Sequence, residues 1–266
     1  MRRLLGAVLL CLPLTAWTAP QRVVSLNLCT DQLLLMLLPR ERIVMLSQLA
    51  TDRSLSWMAA QADGIEHFDG SVESIVRLAP DLILSGTLAS RESTAALQRL
   101  GFPVRTIAMP ESIAESLAFI EQVATLVGEA DAGRALITET KRRLDAVRSA
   151  AHARTPGLAL VYLPNGLSPG AGTLRDELLR LAGWRNLTRE LGVEDYGSIT
   201  LEDLVLHHPQ RVIFDASDLQ HTSMAQQMLR HPALRNHITT RMMPTSAWIC
   251  GGPQIADAAE LLGSGR

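Results

Sequence analysis

The strongest constraint on this chain is a block that it contains twice. Residues Ser71 to Leu84 and Thr200 to Phe214 each read as a short helix, a proline stop and an apolar strand. Glu73 stands seven residues before Pro80, and Glu202 stands seven before Pro209. Each acid follows a potential N-cap hydroxyl by two residues, Ser71 in one case and Thr200 in the other. Val76 and Val205 match in the same register. One such coincidence means little, but cap, acid, apolar position, stop and strand all repeat. The chain therefore predicts one α/β unit built twice.

The rest of the sequence extends the pattern. In the first half, strands are expected at Val23 to Leu28, Ile43 to Leu46 and Val104 to Ala108, with helices at Asp31 to Leu38 and Glu92 to Leu100. In the second half, Leu158 to Leu163 reads as a strand and Leu174 to Leu181 as a helix. Such alternation, with nearly continuous apolar strands, argues for parallel sheets covered by helices. Between the halves, Glu129 to His152 is a proline-free amphipathic stretch. A helix of about 24 residues spans about 36 Å, a stiff connector rather than a flexible linker. The expected organisation is a signal peptide over 1–19, a lobe over 20–128, a connecting helix over 129–153 and a second lobe over 154–266. The rival architecture is one continuous nine-strand sheet.

The first residues point to export. Arg2 and Arg3 precede the apolar run Leu4 to Leu14 and a small-residue region, the layout of a secretory signal too short to span a bilayer. Ala16, Thr18 and Ala19 are rival cleavage points, because a cut after Ala19 puts Trp17 at the −3 position. Cys11 follows Leu9-Leu10 instead of a small residue, which argues against a lipid anchor. Without Arg2 and Arg3, 23 basic residues face 27 acidic ones, a mature net charge of −4. With no basic run and no aromatic stacking platform, nucleic acid is not an expected partner. The mature chain keeps only Cys29 and Cys250, which can pair in an oxidising compartment. No CxxC or matching histidine spacing marks a metal site, and no GxSxG, HExxH or Walker pattern marks an enzyme. His207 and His208 are the only adjacent histidines, and helix capping explains them more simply than chemistry.

Ligands of open α/β sheets bind beyond the carboxyl ends of the strands. Four loops qualify: Asn27 to Asp31, Ser85 to Ser90, Pro164 to Gly172 and Pro244 to Pro253. Aromatic residues make up only 4% of the chain, so Tyr196 and Trp248, both in loop-like stretches, are the leading ligand contacts. Trp57 is a weaker third. A secreted enzyme on the same scaffold would need a titratable cluster, which Asp31, Glu111 and Asp195 could begin. The matched Glu73 and Glu202 suit paired arginines on a symmetric partner.

With these blocks in view, the chain resembles the helical-backbone periplasmic binding proteins for ferric siderophores, haem and vitamin B12. The opening Arg22-Val23-Val24-Ser25-Leu26, both repeated blocks and the central helix carry the resemblance over residues 21 to 263. It implies two Rossmann-like α/β lobes with parallel sheets, joined by one long α-helix, with the ligand cleft between them. It also implies a monomer without a cofactor, in which Glu73 and Glu202 dock onto arginines of a dimeric ABC permease. Asn27, Thr30, Asp31, Tyr196 and Trp248 are the ligand-binding set it implies, for a metal chelate such as a corrinoid, ferric siderophore or haem. The layout is closest to the vitamin B12 receptors, where aromatics occupy the places of Tyr196 and Trp248. Several aromatics that would wall a corrinoid there have no counterpart here. The two cysteines fall one at each lobe's cleft edge, so a disulfide is expected ahead of two free thiols or a soft-metal contact. A carrier or sensor without a permease is the remaining alternative.

Overall fold

The computed structural model describes residues 19–87, 91–216 and 239–264. All of the expected signal segment except Ala19 lies outside the described residues, as do the end of the Ser85–Ser90 loop and His221, His231 and His237.

In the first half, strands β1 (Val23–Ser25), β2 (Ile43–Met45), β3 (Leu82–Gly86) and β4 (Val104–Ile107) form a parallel sheet of order β2-β1-β3-β4. Helices α1 (Leu28–Leu37), α2 (Ala59–Ala62), α3 (Val72–Leu78), α4 (Arg91–Arg99) and α5 (Ile113–Leu126) accompany it. Helix α6 (Ala130–His152) follows. In the second half come β5 (Gly157–Tyr162), β6 (Leu167–Pro169), α7 (Leu174–Leu181), β7 (Trp184–Asn186), α8 (Leu187–Glu190) and β8 (Tyr196–Ser198). They continue with α9 (Leu201–His207), β9 (Arg211–Asp215), β10 (Thr239–Met243) and α10 (Ile255–Gly263). The second parallel sheet has the order β10-β9-β5-β7, and β6 pairs antiparallel with β8 outside it.

The two sheets are the same sheet. Setting β9 on β3 puts β5 on β1, β10 on β4 and β7 on β2. Each sheet has apolar clusters on both faces, which is why β3 is buried throughout.

The repeated block folds alike in both copies. Ser71 caps α3 by accepting from the Ser74 N–H, and Thr200 caps α9 by accepting from the Asp203 N–H. Asp203 returns the bond to the Thr200 N–H at 2.9 Å, completing a capping box. Both helices end on a left-handed residue before proline, Ala79 at φ 44° and His208 at φ 45°. A following proline disfavours the right-handed helical region, so both turns leave the helix through the left-handed one at some steric cost. Ile75 and Leu204, both fully buried, anchor the blocks, while Glu73, Val76, Glu202 and Val205 all face outward.

One expected boundary moves. The strand expected to reach Leu28 ends at Ser25, and α1 begins at Leu28 rather than at Asp31. Asn27 causes this: its Oδ1 accepts from the Cys29 N–H at 2.9 Å and starts the helix. The supposed loop Asn27 to Asp31 is therefore the buried first turn of a helix.

Helix α6 runs 23 residues, within one residue of the expected span. Gly133 lets it approach α5 closely, since a Cβ there would sit 2.3 Å from that of Ala124. Farther along, Arg143 bonds Asp257 and Glu260 of α10 at 2.8 and 2.7 Å. The spine is thus packed to one lobe and ion-paired to the other.

Candidate functional site

A cleft of about 440 Å³ lies between the lobes, a size typical of small-ligand sites. Met109, Pro110 and Glu111, just past β4, form its N-terminal wall. Thr173 to Arg175 at the head of α7, Asp195 and Tyr196 at β8, and Trp248 and Ile249 form the rest.

Local sequence explains how these groups are held. Thr173 caps α7, accepting from the Asp176 N–H and donating to the Gly170 carbonyl at 2.9 Å. This fixes Arg175 in the first helical turn, where a cation opposes the helix dipole. Asp215, at the end of β9, offsets that: its Oδ2 accepts from Arg175 Nη2 at 2.8 Å. The same oxygen accepts from Trp248 Nε1 at 3.2 Å, and the Arg175 guanidinium carbon lies 4.9 Å from the Trp248 ring centroid. Asp215 Oδ1 is buried without a partner among the described residues. Tyr196, half exposed, lines the same cleft. Preceding it, Asp195 adopts φ 52° and exchanges backbone bonds with Gly170 and Ala171, which sets the ring's position. Trp248 itself is only 2% exposed, so the arrangement presents a half-exposed phenol and a cation with spare donors held against a buried indole, suited to an acceptor-bearing molecule with an apolar body.

The structure sorts the expected contacts. Tyr196 and Trp248 line the cleft, as do Glu111 and Asp195. Thr30 and Asp31 do not, which corrects the expected ligand set. Both are buried in the first turn of α1, where the polar atoms of the lobe's core engage them. Thr30 Oγ1 bonds Ser25 Oγ at 2.7 Å and the Asn27 carbonyl at 2.9 Å. Asp31 accepts from the N–H and hydroxyl of Ser47. Burial pushes its carboxyl up to about 7, against the lowering effect of bonds from Ser25 and Ser47. Asn27 is occupied as a cap and is also absent from the cleft wall. Asp31 thus stands apart from Glu111 and Asp195, which both line the cleft. Among the described residues no three His, Cys, Asp or Glu side chains are grouped to hold a metal ion. Trp57 borders a different cavity, shared with Ser246.

Sequence reasoning missed Arg175 and Asp215. A signal for Arg175 existed: it is a cation two residues after an N-cap hydroxyl, where the dipole favours an anion. Nothing local distinguished Asp215.

Cys29 and Cys250 form a disulfide, which leaves neither sulfur available to a soft metal. It joins the first turn of α1 to the segment carrying Trp248, and Cys250 packs within the core of the first lobe. A second tie crosses nearby, where Glu177 of α7 accepts from the Ile113 N–H of α5 at 2.7 Å.

Comparison with known proteins adds to this geometry. A cobalamin-binding protein of Halobacterium salinarum is 25% identical over 207 residues, covering 77% of this chain and 56% of that protein. The chain thus spans about half the length of the curated relatives it matches. A possible iron-binding, periplasmic solute-binding protein of Staphylococcus epidermidis superposes with a TM-score of 0.77 at 17% identity, covering 92% of this chain and 98% of that one. A periplasmic haem-binding protein of Roseiflexus sp. RS-1 superposes with a TM-score of 0.72 at 21% identity, covering 91% and 98%. These two likenesses establish the two-lobed fold. Residues 23–241 match the family described as Periplasmic binding protein. With two equivalent lobes, a helical spine and a cleft between them, this chain belongs to the periplasmic binding protein family.

Proposed function

We propose that this protein is the substrate-binding component of an ABC importer. In this reading it is exported to the periplasm, captures a metal chelate (a corrinoid, ferric siderophore or haem) and delivers it to a permease dimer. The observation that carries the reading is the cleft itself, where Tyr196, Trp248 and Arg175 converge from a two-lobed binding-protein scaffold. The half-exposed Tyr196 ring offers apolar surface to the chelate, and the buried Trp248 backs the guanidinium. The guanidinium offers charge-assisted donors to oxygens on its rim. The work done is binding and release, with no bond made or broken. Movement between the lobes is small, because a rigid helix and a disulfide both join them. Glu73 and Glu202, exposed at equivalent positions, engage paired arginines of the permease. The chelate classes follow the relatives, which are named for cobalamin, iron and haem.

Tryptophan-fluorescence titration of the mature protein with cyanocobalamin, haem and a set of ferric siderophores tests the reading, with correction for ligand absorption. Saturable quenching at sub-micromolar concentration by one of them is expected. Silence with every chelate would overturn the substrate class and leave the family assignment in place.

A further inference from the structure

A second cavity of about 330 Å³ lies beside the last loop of the C-terminal lobe. Arg53, Ser56, Trp57 and the start of α2 form one side, and Ser246 forms the other. Ser246 belongs to the single turn Thr245–Ala247, so one loop borders both cavities: Ser246 this one, and Trp248 the cleft.

The segment carrying Trp57 is pinned at both ends by adjacent residues of α1. Asp31 holds Ser47, and Gln32 Oε1 accepts from the Trp57 N–H at 2.9 Å. Between these points, the Ser56 N–H bonds the Asp52 carbonyl at 2.7 Å. The backbone is therefore fixed while the Trp57 ring stays 38% exposed, an arrangement unlike a loosely tethered surface aromatic. Two polar groups here lack partners among the described residues. Ser56 lines the cavity and is only 4% exposed, with its Oγ buried in the wall. Gln32 Nε2 is also buried, on the same side chain that anchors Trp57. Buried donors are normally satisfied, so an unmet hydroxyl in a cavity wall marks a place where an acceptor from outside belongs. Arg53, exposed at the same wall, supplies a positive charge.

We infer that this cavity is a second ligand compartment, receiving an aromatic ring that carries a carboxylate. The ring lies against Trp57, and the carboxylate accepts from Arg53 and Ser56 Oγ. A chelate with an aromatic carboxylate arm can thereby rest its body in the cleft of Tyr196 and Arg175 and its arm on Trp57, on either side of one loop. That physiological sense rests on the binding-protein reading; the compartment itself is testable without any chelate.

The test is fluorine NMR of the full mature chain labelled with 5-fluorotryptophan, using benzoate as the probe and benzyl alcohol as the uncharged control. A labelled chain beginning at Pro20 has Trp57, Trp184 and Trp248, and Trp57→Phe identifies the signal. Benzoate is expected to move the Trp57 signal saturably at about 1–10 mM, the range for so small a fragment, and to leave Trp184 unmoved. Benzyl alcohol is expected to act at least about tenfold more weakly. Arg53→Gln and Ser56→Ala are each expected to weaken benzoate about five- to tenfold. Ser56→Ala deletes an unpartnered hydroxyl and Arg53→Gln changes an exposed side chain, so both variants fold, with an unchanged Trp184 signal as the check. The inference is overturned if benzoate leaves Trp57 unmoved, if the alcohol acts equally, or if neither substitution matters. Failure of the chelate titration, by contrast, concerns the Trp248 cleft and leaves this result standing.

Discussion

Asp215 accepts from Arg175 at 2.8 Å, and the oxygen that does so also accepts from the indole of Trp248. A single buried carboxylate oxygen therefore sets two walls of the cleft at once. Asp215→Asn is expected to reduce stability by about 1–3 kcal/mol, since it leaves a half-buried guanidinium without its counter-ion. For a chain of this size that lowers Tm by about 3–10 °C in calorimetry. Chelate affinity should fall by about tenfold or more, because Trp248 and Arg175 lose a shared anchor. An unchanged affinity in the folded variant would remove Asp215 from the site.

The disulfide closes a span of 221 residues. In the chain-entropy view such a closure contributes about 5 kcal/mol. Reduction, or Cys29→Ser with Cys250→Ser, is expected to lower Tm by about 10–20 °C. In unreduced protein neither thiol should alkylate, which mass spectrometry reads directly.

Asp31 makes stability depend on pH. Its folded-state carboxyl titrates near 7, above the ordinary 3.8 of the unfolded chain. Between about pH 4 and 7 the folded state therefore holds a proton that the unfolded state has lost. Stability must fall as pH rises through this window, by up to about 1.4 kcal/mol per pH unit from this group, and then level off. Asp31→Asn should remove that part of the slope in urea unfolding curves between about pH 4.5 and 8. An unaltered slope would show that Asp31 is ionised in the folded state.

Glu73 and Glu202 are exposed, so Glu73→Arg with Glu202→Arg should leave Tm and chelate binding intact while abolishing uptake in cells that depend on this protein. Each single change should give a partial loss. Full uptake by the double variant would show that delivery does not run through these two acids.

Much of the fold was legible because the repeated block records its own boundaries. Ser71 and Thr200 announce helix starts, Pro80 and Pro209 announce stops, and the intervening Ile75 and Leu204 give the buried face. The site was less legible. Trp248 and Tyr196 stood out by scarcity, and both line the cleft. Thr30 and Asp31 misled because a polar stretch after an apolar strand reads as a loop, whereas Asn27 turned it into a buried helical turn. Arg175 and Asp215 are 40 residues apart and meet only through the packing of α7 beside the end of β9. No local pattern encodes such a meeting.

The matching strand orders have an evolutionary consequence. Whatever the two halves still share, the capped acids and the sheets, serves tasks that are the same on both sides. Whatever they do not share divides their labour: Gly86 ends β3 where Asp215 ends β9, and among the described residues lining the cleft none from the first half mirrors Arg175 or Trp248. On the proposed function, the asymmetric groups of the cleft are the ones that would set ligand choice. On that same reading, a lineage could exchange one cargo for another through a few substitutions around the cleft, while the proposed docking acids and the frame stayed as they were.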